Sequence, residues 1–175
     1  MLQCTAEQHP AHHEHERVDG DELTFVAKAQ GAKRGLRYDP DMGLSVQLSC
    51  SAAGHAWLAT LTDEQALALV AKQGFGDPKN FGPKAPTTVK ALLGYLKTTR
   101  QKGYSMITDM FAPAMASMSA PVRVRGNTLG VITIAGPAVR LTEERMESLA
   151  GALLTTAEEI ADASPASQIF RSLKS

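Results

Sequence analysis

The chain has 175 residues, of which 43% are hydrophobic, 21% charged and 5% aromatic. This profile is typical of one globular domain that is large enough to bury a substantial core. Its 18 basic and 18 acidic residues cancel, so the chain lacks the positive excess that neutralises phosphates. It is therefore a poor candidate for binding nucleic acid by itself.

Neither a membrane nor an oxidising compartment is indicated. No apolar run approaches the ~20 residues that a bilayer requires, and the N-terminus lacks the basic-then-apolar order of a signal peptide. The two cysteines, Cys4 and Cys50, are too few for a disulfide framework and lack metal-ligand spacing. We expect a cytoplasmic protein with no membrane contact.

Residues 1–20 form a polar, histidine-rich N-terminal segment. His13 and His15 would share one face of a strand, and two imidazoles at this spacing can chelate a divalent transition metal. A solvated terminus that binds metal only adventitiously explains the same pattern and is the simpler interpretation. We therefore predict no metal site and keep these two histidines as weak candidates.

The first half of the domain is predicted as strands followed by helices. Asp19-Gly20 favours a hairpin turn, and alternating side chains predict a strand over 22–28 and a strand or extended segment over 44–48. A first helix is predicted over 52–61. A second begins at a capping box formed by Thr62 and Gln65 and ends near Gly74. A third is predicted over 87–102, with an apolar stripe that includes Val89. Gly103 suits a left-handed helix cap.

The second half returns to strands and ends in one long helix. A strand over 104–108 leads through a methionine-rich loop to a hairpin of strands 119–125 and 129–135, and Thr142 caps the last helix. Strands grouped in runs favour an α+β domain with a mainly antiparallel sheet. We assign this domain to residues 21–163 and a C-terminal tail to residues 164–175.

Four segments occur in a characteristic order along the chain: 48–59 (LSCSAAGHAWLA), 102–105 (KGYS), 120–123 (APVR) and 130–142 (GVITIAGPAVRLT). Through these segments the chain, from about Asp19 to Ala163, resembles the effector-binding domain of the IclR family of transcriptional regulators. The resemblance implies a GAF-like fold, which is a curved, mainly antiparallel sheet with helices on both faces and a pocket on one side. It also implies a homodimer or homotetramer and no cofactor.

The family's DNA-binding part is a winged helix-turn-helix that precedes this domain. Residues 1–20 are too short and too polar for its three packed helices. The resemblance therefore implies DNA contact only through a domain that is absent from this chain.

The resemblance places a ligand pocket at three positions that the residues also favour. Small residues at the entry to the helix near residue 52 let a backbone approach a ligand, and amides at a helix N-terminus attract carboxylates. The other positions are the loop over 107–117 and one face of the strand over 133–135. The predicted ligand-binding residues are Ser51, Ala52, Ala53, Ile107, Asp109, Met115, Ser117, Thr133 and Ala135.

The departures from the family's usual pattern favour an apolar ligand. Ile107 and Met110 occupy positions where acidic residues are common in the family, and Ala114 and Ser117 stand where glycine and cysteine are frequent. With further methionines nearby, the pocket is predicted to accept an aromatic or otherwise largely apolar carboxylic acid. Simple core packing would also explain the methionines.

We predict that the domain senses a small-molecule effector for a bacterial transcriptional regulator and makes or breaks no bond. One alternative is a GAF-like redox enzyme that uses Cys50, because amides at the helix entry could lower the pKa of its thiol. An inert buried thiol is the simpler interpretation of Cys50. The other alternative is a metal-binding protein that uses the histidine tract.

Overall fold

The computed structural model describes residues 12–29 and 45–164. The first eleven residues of the predicted N-terminal segment, and the predicted tail beyond Ser164, lie outside the described residues. Among the helices of the described ranges, none combines the length and the apolar character that a membrane span requires.

The described residues form an antiparallel sheet in the order β2-β1-β5-β4-β3. Its strands are β1 (His12–Asp19), β2 (Glu22–Ala29), β3 (Ser105–Thr108), β4 (Met115–Val124) and β5 (Asn127–Pro137). β1 pairs with β2, β3 with β4, and β4 with β5, each with its neighbour in sequence. The pairing of β1 with β5 joins the N-terminal hairpin to the C-terminal strands. The predicted antiparallel sheet is confirmed.

The hairpin turn predicted at Asp19-Gly20 is confirmed, because Gly20 has a positive φ of 60° between β1 and β2. β1 lies inside the sheet, with His13 opposite Ile134 and Arg17 opposite Gly130 of β5. The polar N-terminal segment therefore contributes a strand. Its composition does not indicate this, because main-chain pairing with β2 and β5 needs no apolar side chains.

Four helices were predicted, and each forms. They are α1 (Ala52–Leu58), α2 (Asp63–Gln73), α3 (Val89–Lys102) and α4 (Glu143–Ala163), with a short 3-10 turn at Pro78–Asn80. The capping box at Thr62 and Gln65 is present, the Thr142 hydroxyl accepts from the Arg145 amide, and Gly103 ends α3 with a φ of 81°. These boundaries follow from local capping chemistry.

Two predicted details are wrong. β4 begins at Met115 rather than at residue 119, because its first residues pair with the end of β5 from Pro137. Val89 is 46% exposed and lies outside the apolar stripe of α3. For residues 44–48, where a strand or an extended segment was predicted, the described part is extended: one bridge joins Ser45 to Thr24, and no regular strand forms.

Helices cover both faces of the sheet, as the GAF-like architecture requires. Successive residues of β5 point to opposite faces, so Ile132 packs with Met118 and Met146 in the core beneath α4. Val131 packs instead with Leu23 and the first three helices. This second face carries the candidate site, where α1 meets the middle of the sheet.

Candidate functional site

A small cavity of about 30 Å³ lies between the start of α1, the loop joining β3 to β4, and the face of β4 and β5. It is lined by Phe25, Val46, Ser51, Ala52, Ala53, Ile107, Phe111, Met115, Ala116, Ser117, Thr133 and Ala135. The structure thus brings eight of the nine predicted ligand-binding residues together around one space. Asp109 is not among the lining residues.

Four lining residues were not predicted: Phe25, Val46, Phe111 and Ala116. Phe25 comes from β2, which lies two strands away from β5, and only the order of the strands shows that it reaches the cavity. Phe111 belongs to the loop that was predicted to line the pocket, and its aromatic ring is the feature that could have identified it as a lining residue. Ligand contact by any of these residues is a prediction at this point.

At the helix entry, Ser51 is held by two hydrogen bonds. Its Oγ accepts from the Gly54 amide at 2.9 Å and donates to the carbonyl oxygen of Gln47 at 2.6 Å. This cap satisfies one amide of the first turn of α1. Ala52 and Ala53, at the same end of the helix, line the cavity with small side chains.

On the sheet, a pair of hydroxyl groups backs the cavity. Ser119 lies opposite Thr133, and Ser117 lies opposite Ala135, in the register of β4 and β5. The Ser119 Oγ and Thr133 Oγ1 atoms are 2.7 Å apart in a buried hydrogen bond. Thr133 therefore presents a hydroxyl of fixed position to the cavity, whereas Ser119 supports it from behind.

Asp109 organises the loop rather than the cavity wall. Its Oδ1 accepts from the Ala114 amide at 2.7 Å, its own amide donates to the carbonyl of Met115 at 2.9 Å, and its carbonyl accepts from the Lys84 amide at 2.9 Å. These bonds hold both ends of the loop that carries Phe111. Asp109 thus helps to position the cavity side chains of Phe111 and Met115.

We expect Ala114→Gly to stabilise the protein. Ala114 has a φ of 60°, a conformation that glycine adopts without the steric cost of a Cβ atom, so the gain is about 1 kcal/mol. Chemical denaturation measures it. Ala112→Gly is the matched control in the same loop, because Ala112 has no positive φ and should lose stability. A loss for Ala114→Gly would contradict the prediction.

Cys50 has the environment of an inert thiol. It is 1% exposed, and burial raises the pKa of its thiol to about 12, against a smaller opposing effect of the hydrogen bond with Ser49. A redox role needs a lowered pKa, because the thiolate is the reactive species. The geometry therefore favours the packing interpretation of Cys50.

The histidine tract is only partly described. His13 and His15 belong to the backbone of β1, as the metal hypothesis requires, but their side chains lie outside what the structure describes. Within the described residues, no group of three histidine, cysteine or acidic side chains is placed to hold a metal ion.

His55 is a buried polar residue that sequence patterns did not single out. It lies on α1, its ring is stacked on Tyr95 of α3 at 5.5 Å between centroids, and its Nε2 donates to the carbonyl of Ser49 at 2.8 Å. Nδ1 is buried without a hydrogen-bond partner among the described residues. Burial lowers the pKa of this imidazole to about 4, so it is neutral near pH 7.

The fold is that of a GAF-like α+β domain, and residues 16–162 match the family model described as the C-terminal domain of the bacterial transcriptional regulator IclR. The chain belongs to this IclR C-terminal family.

Relatives and solved structures agree with this assignment. The HTH-type transcriptional repressor AllR of Salmonella paratyphi A is 27% identical over 146 residues, which are 83% of this chain and 52% of the relative. The chain thus spans about half the length of the curated relatives that it matches.

Two solved structures share the fold. The Thermotoga maritima IclR structure superposes with a TM-score of 0.78 at 21% identity, covering 87% of this chain and 61% of that one. The inducer-binding domain of a double mutant of PobR from Acinetobacter, in complex with 3-hydroxybenzoic acid, superposes with a TM-score of 0.75 at 20% identity, covering 88% and 89%.

Proposed function

We propose that the cavity at the start of α1 binds a small, largely apolar carboxylic acid, with aromatic acids as the preferred class. The observation that carries this proposal is the lining: it contains apolar side chains and three hydroxyl residues, Ser51, Ser117 and Thr133, but no charged side chain among the described residues. Such a wall favours an apolar ligand body and orients it through a few polar groups.

The chemistry of the lining favours an aromatic ring. Phe25 and Phe111 offer aromatic faces or edges, and the Met115 thioether makes favourable contacts with rings. The hydroxyls of Ser117 and Thr133 and the first amides of α1 are available as donors for a carboxylate. The complex of the PobR domain with 3-hydroxybenzoic acid is an instance of the same ligand class in a protein of this fold.

The size of the cavity implies that binding moves the loop between β3 and β4. Its volume of about 30 Å³ is far below the ~300–1,000 Å³ of typical small-molecule sites. A benzoate-sized acid therefore needs the cavity to open, and the loop that carries Phe111 is the wall that we propose to move. Binding then selects an open loop, and a difference in affinity between open and closed states is the source of an allosteric signal.

The proposed role of the whole protein is effector-dependent regulation of transcription without catalysis. Effector binding would bias the arrangement of a homo-oligomer and change its affinity for DNA, with a coupling free energy of ~1–3 kcal/mol. DNA contact belongs to the regulator as a whole, because the domain itself has no net positive charge.

We expect aromatic acids to raise the Tm of the purified chain more than short hydroxy or keto acids do. At ~100 times its Kd a ligand adds about 2.7 kcal/mol, which is about 5–10 °C for a domain of this size. Thr133→Val should weaken binding of the aromatic acid about tenfold, because the carboxylate loses a hydrogen-bond donor.

Ser119→Ala is the matched control. It breaks the same buried hydrogen bond but leaves the Thr133 hydroxyl on the cavity wall, so the affinity should be retained. Ala53→Leu should block binding by filling the cavity. Equal affinity of all these variants would refute the site, and a response only to short hydroxy or keto acids would refute the aromatic class.

A further inference from the structure

A second and larger cavity, of about 170 Å³, lies on the outer side of β3. Its walls come from the edge strand β3, from Tyr95 on α3, and from Glu143 and Met146 at the start of α4. Ile107 lines both cavities, so β3 separates them. Of the residues that line the proposed effector site, only Ile107 also lines this space.

The wall of this cavity carries one cation and one anion, Lys84 and Glu143. The two do not pair with each other: the Lys84 ammonium forms an ion pair with the Asp109 carboxylate at 3.7 Å, and the Lys84 side chain is 61% exposed. None of the ion pairs found within the described residues uses Glu143. A ligand that bears both an anionic and a cationic group would complement the two charges at once.

The rest of the lining is apolar and adaptable. Met106, Met110 and Met146 contribute thioether side chains, and Met110 and Met146 are at most 2% exposed. Unbranched methionine side chains rearrange at little cost around aliphatic groups of different shape. The cavity floor is therefore suited to an aliphatic side chain.

Among the described residues β3 is an edge strand, and its outer edge adds main-chain donors and acceptors. β3 ends the sheet, Ile107 lies opposite Ser117, and the next bond in that register joins the Asp109 amide to the Met115 carbonyl. Since main-chain groups alternate along an antiparallel strand, the N–H and C=O groups of Met106 and Thr108 point away from β4. Both residues line the cavity.

We propose that this second cavity binds a free α-amino acid with an aliphatic side chain. Its carboxylate pairs with Lys84, its ammonium group pairs with Glu143, and the edge of β3 binds the remaining polar positions in the way that sheet edges bind an added strand. The volume of about 170 Å³ lies below the ~300–1,000 Å³ of sites for drug-sized ligands, which favours a ligand as small as an amino acid with a small or medium side chain.

Calorimetry with L-leucine tests the proposal. Two probes each lack one charge: 4-methylpentanoate has no amine, and 3-methylbutylamine has no carboxylate. We expect leucine to bind at least about tenfold more tightly than either probe, because each probe loses one of the two charged contacts that leucine makes with the wall. Equal affinity of leucine and 4-methylpentanoate, or no binding of leucine at millimolar concentration, would overturn the proposal.

Two pairs of variants locate the charges. Glu143→Gln should remove most of the preference for leucine over 4-methylpentanoate, whereas Glu144→Gln makes the same change at the next residue of α4, which does not line the cavity. Lys84→Gln should weaken leucine binding, whereas Lys90→Gln, on α3 outside the cavity, should not. Equal effects within either pair would contradict the assigned contacts.

Methionine methyl NMR separates the two cavities. Leucine should shift the methyl signals of Met106, Met110 and Met146, which line the second cavity, more than that of Met115, which lines the first. Aromatic acids should do the reverse. A leucine response confined to Met115 and lost in Thr133→Val would place the amino acid in the first cavity and refute the second site, whereas silence of Met115 toward acids would count only against the effector proposal.

Discussion

Gly54→Ala is expected to lower the free energy of unfolding by about 3 kcal/mol, and therefore the Tm by roughly 6–12 °C. A Cβ atom at Gly54 would lie 2.3 Å from the carbonyl oxygen of Leu48 and 2.5 Å from its Cα atom. These neighbours are main-chain atoms, so no side-chain rotation relieves the contact. The extended segment and α1 would have to separate, and both line the proposed effector cavity.

Two other helical glycines are matched controls for this substitution. Cβ atoms built at Gly94 on α3 and at Gly151 on α4 meet nothing within 4 Å. Alanine at either position should raise stability by about 0.5–1 kcal/mol, because it restricts the unfolded chain and favours the helix. Chemical denaturation gives the comparison, and a Gly54→Ala variant as stable as the wild type would refute the close approach of these backbones.

Acidification is expected to remove roughly 3 kcal/mol of stability through His55 alone. Burial holds the pKa of the folded imidazole at about 4, below its ordinary value of 6.5. The unfolded chain therefore binds the proton more readily. The contribution of neutral His55 to the free energy of unfolding is complete above pH 6.5, declines as the pH falls, and is lost below about pH 4.

His55→Gln tests this expectation, because glutamine can keep the hydrogen bond to the Ser49 carbonyl but does not titrate. Between pH 7 and pH 4, the free energy of unfolding should fall less steeply with decreasing pH for the variant than for the wild type. Acidic residues such as Glu147, whose pKa is lowered by hydrogen bonds from Lys102 and Tyr104, titrate in both proteins. If the free energy of unfolding depended on pH equally in both proteins, His55 would not be the residue that causes the loss of stability in acid.

Much of the effector cavity was predictable because its residues share local signals. Ser51 caps a helix, Ala52 and Ala53 are small residues at its entry, and Thr133 and Ala135 alternate on one strand. Asp109 was predicted as a lining residue, yet its carboxylate binds the amide of Ala114. A residue type does not reveal whether a side chain faces a ligand or its own loop.

The sequence by itself determined the helices and their ends, since capping boxes, left-handed glycines and apolar periodicity act within a few residues of chain. It also determined the hairpins, whose turns are local. Only the tertiary structure decided that polar β1 lies inside the sheet, that Phe25 reaches the effector cavity, and that Lys84 and Glu143 share a second one. Those features join residues far apart in the chain, and their proximity depends on strand order and helix packing, which local sequence patterns do not contain.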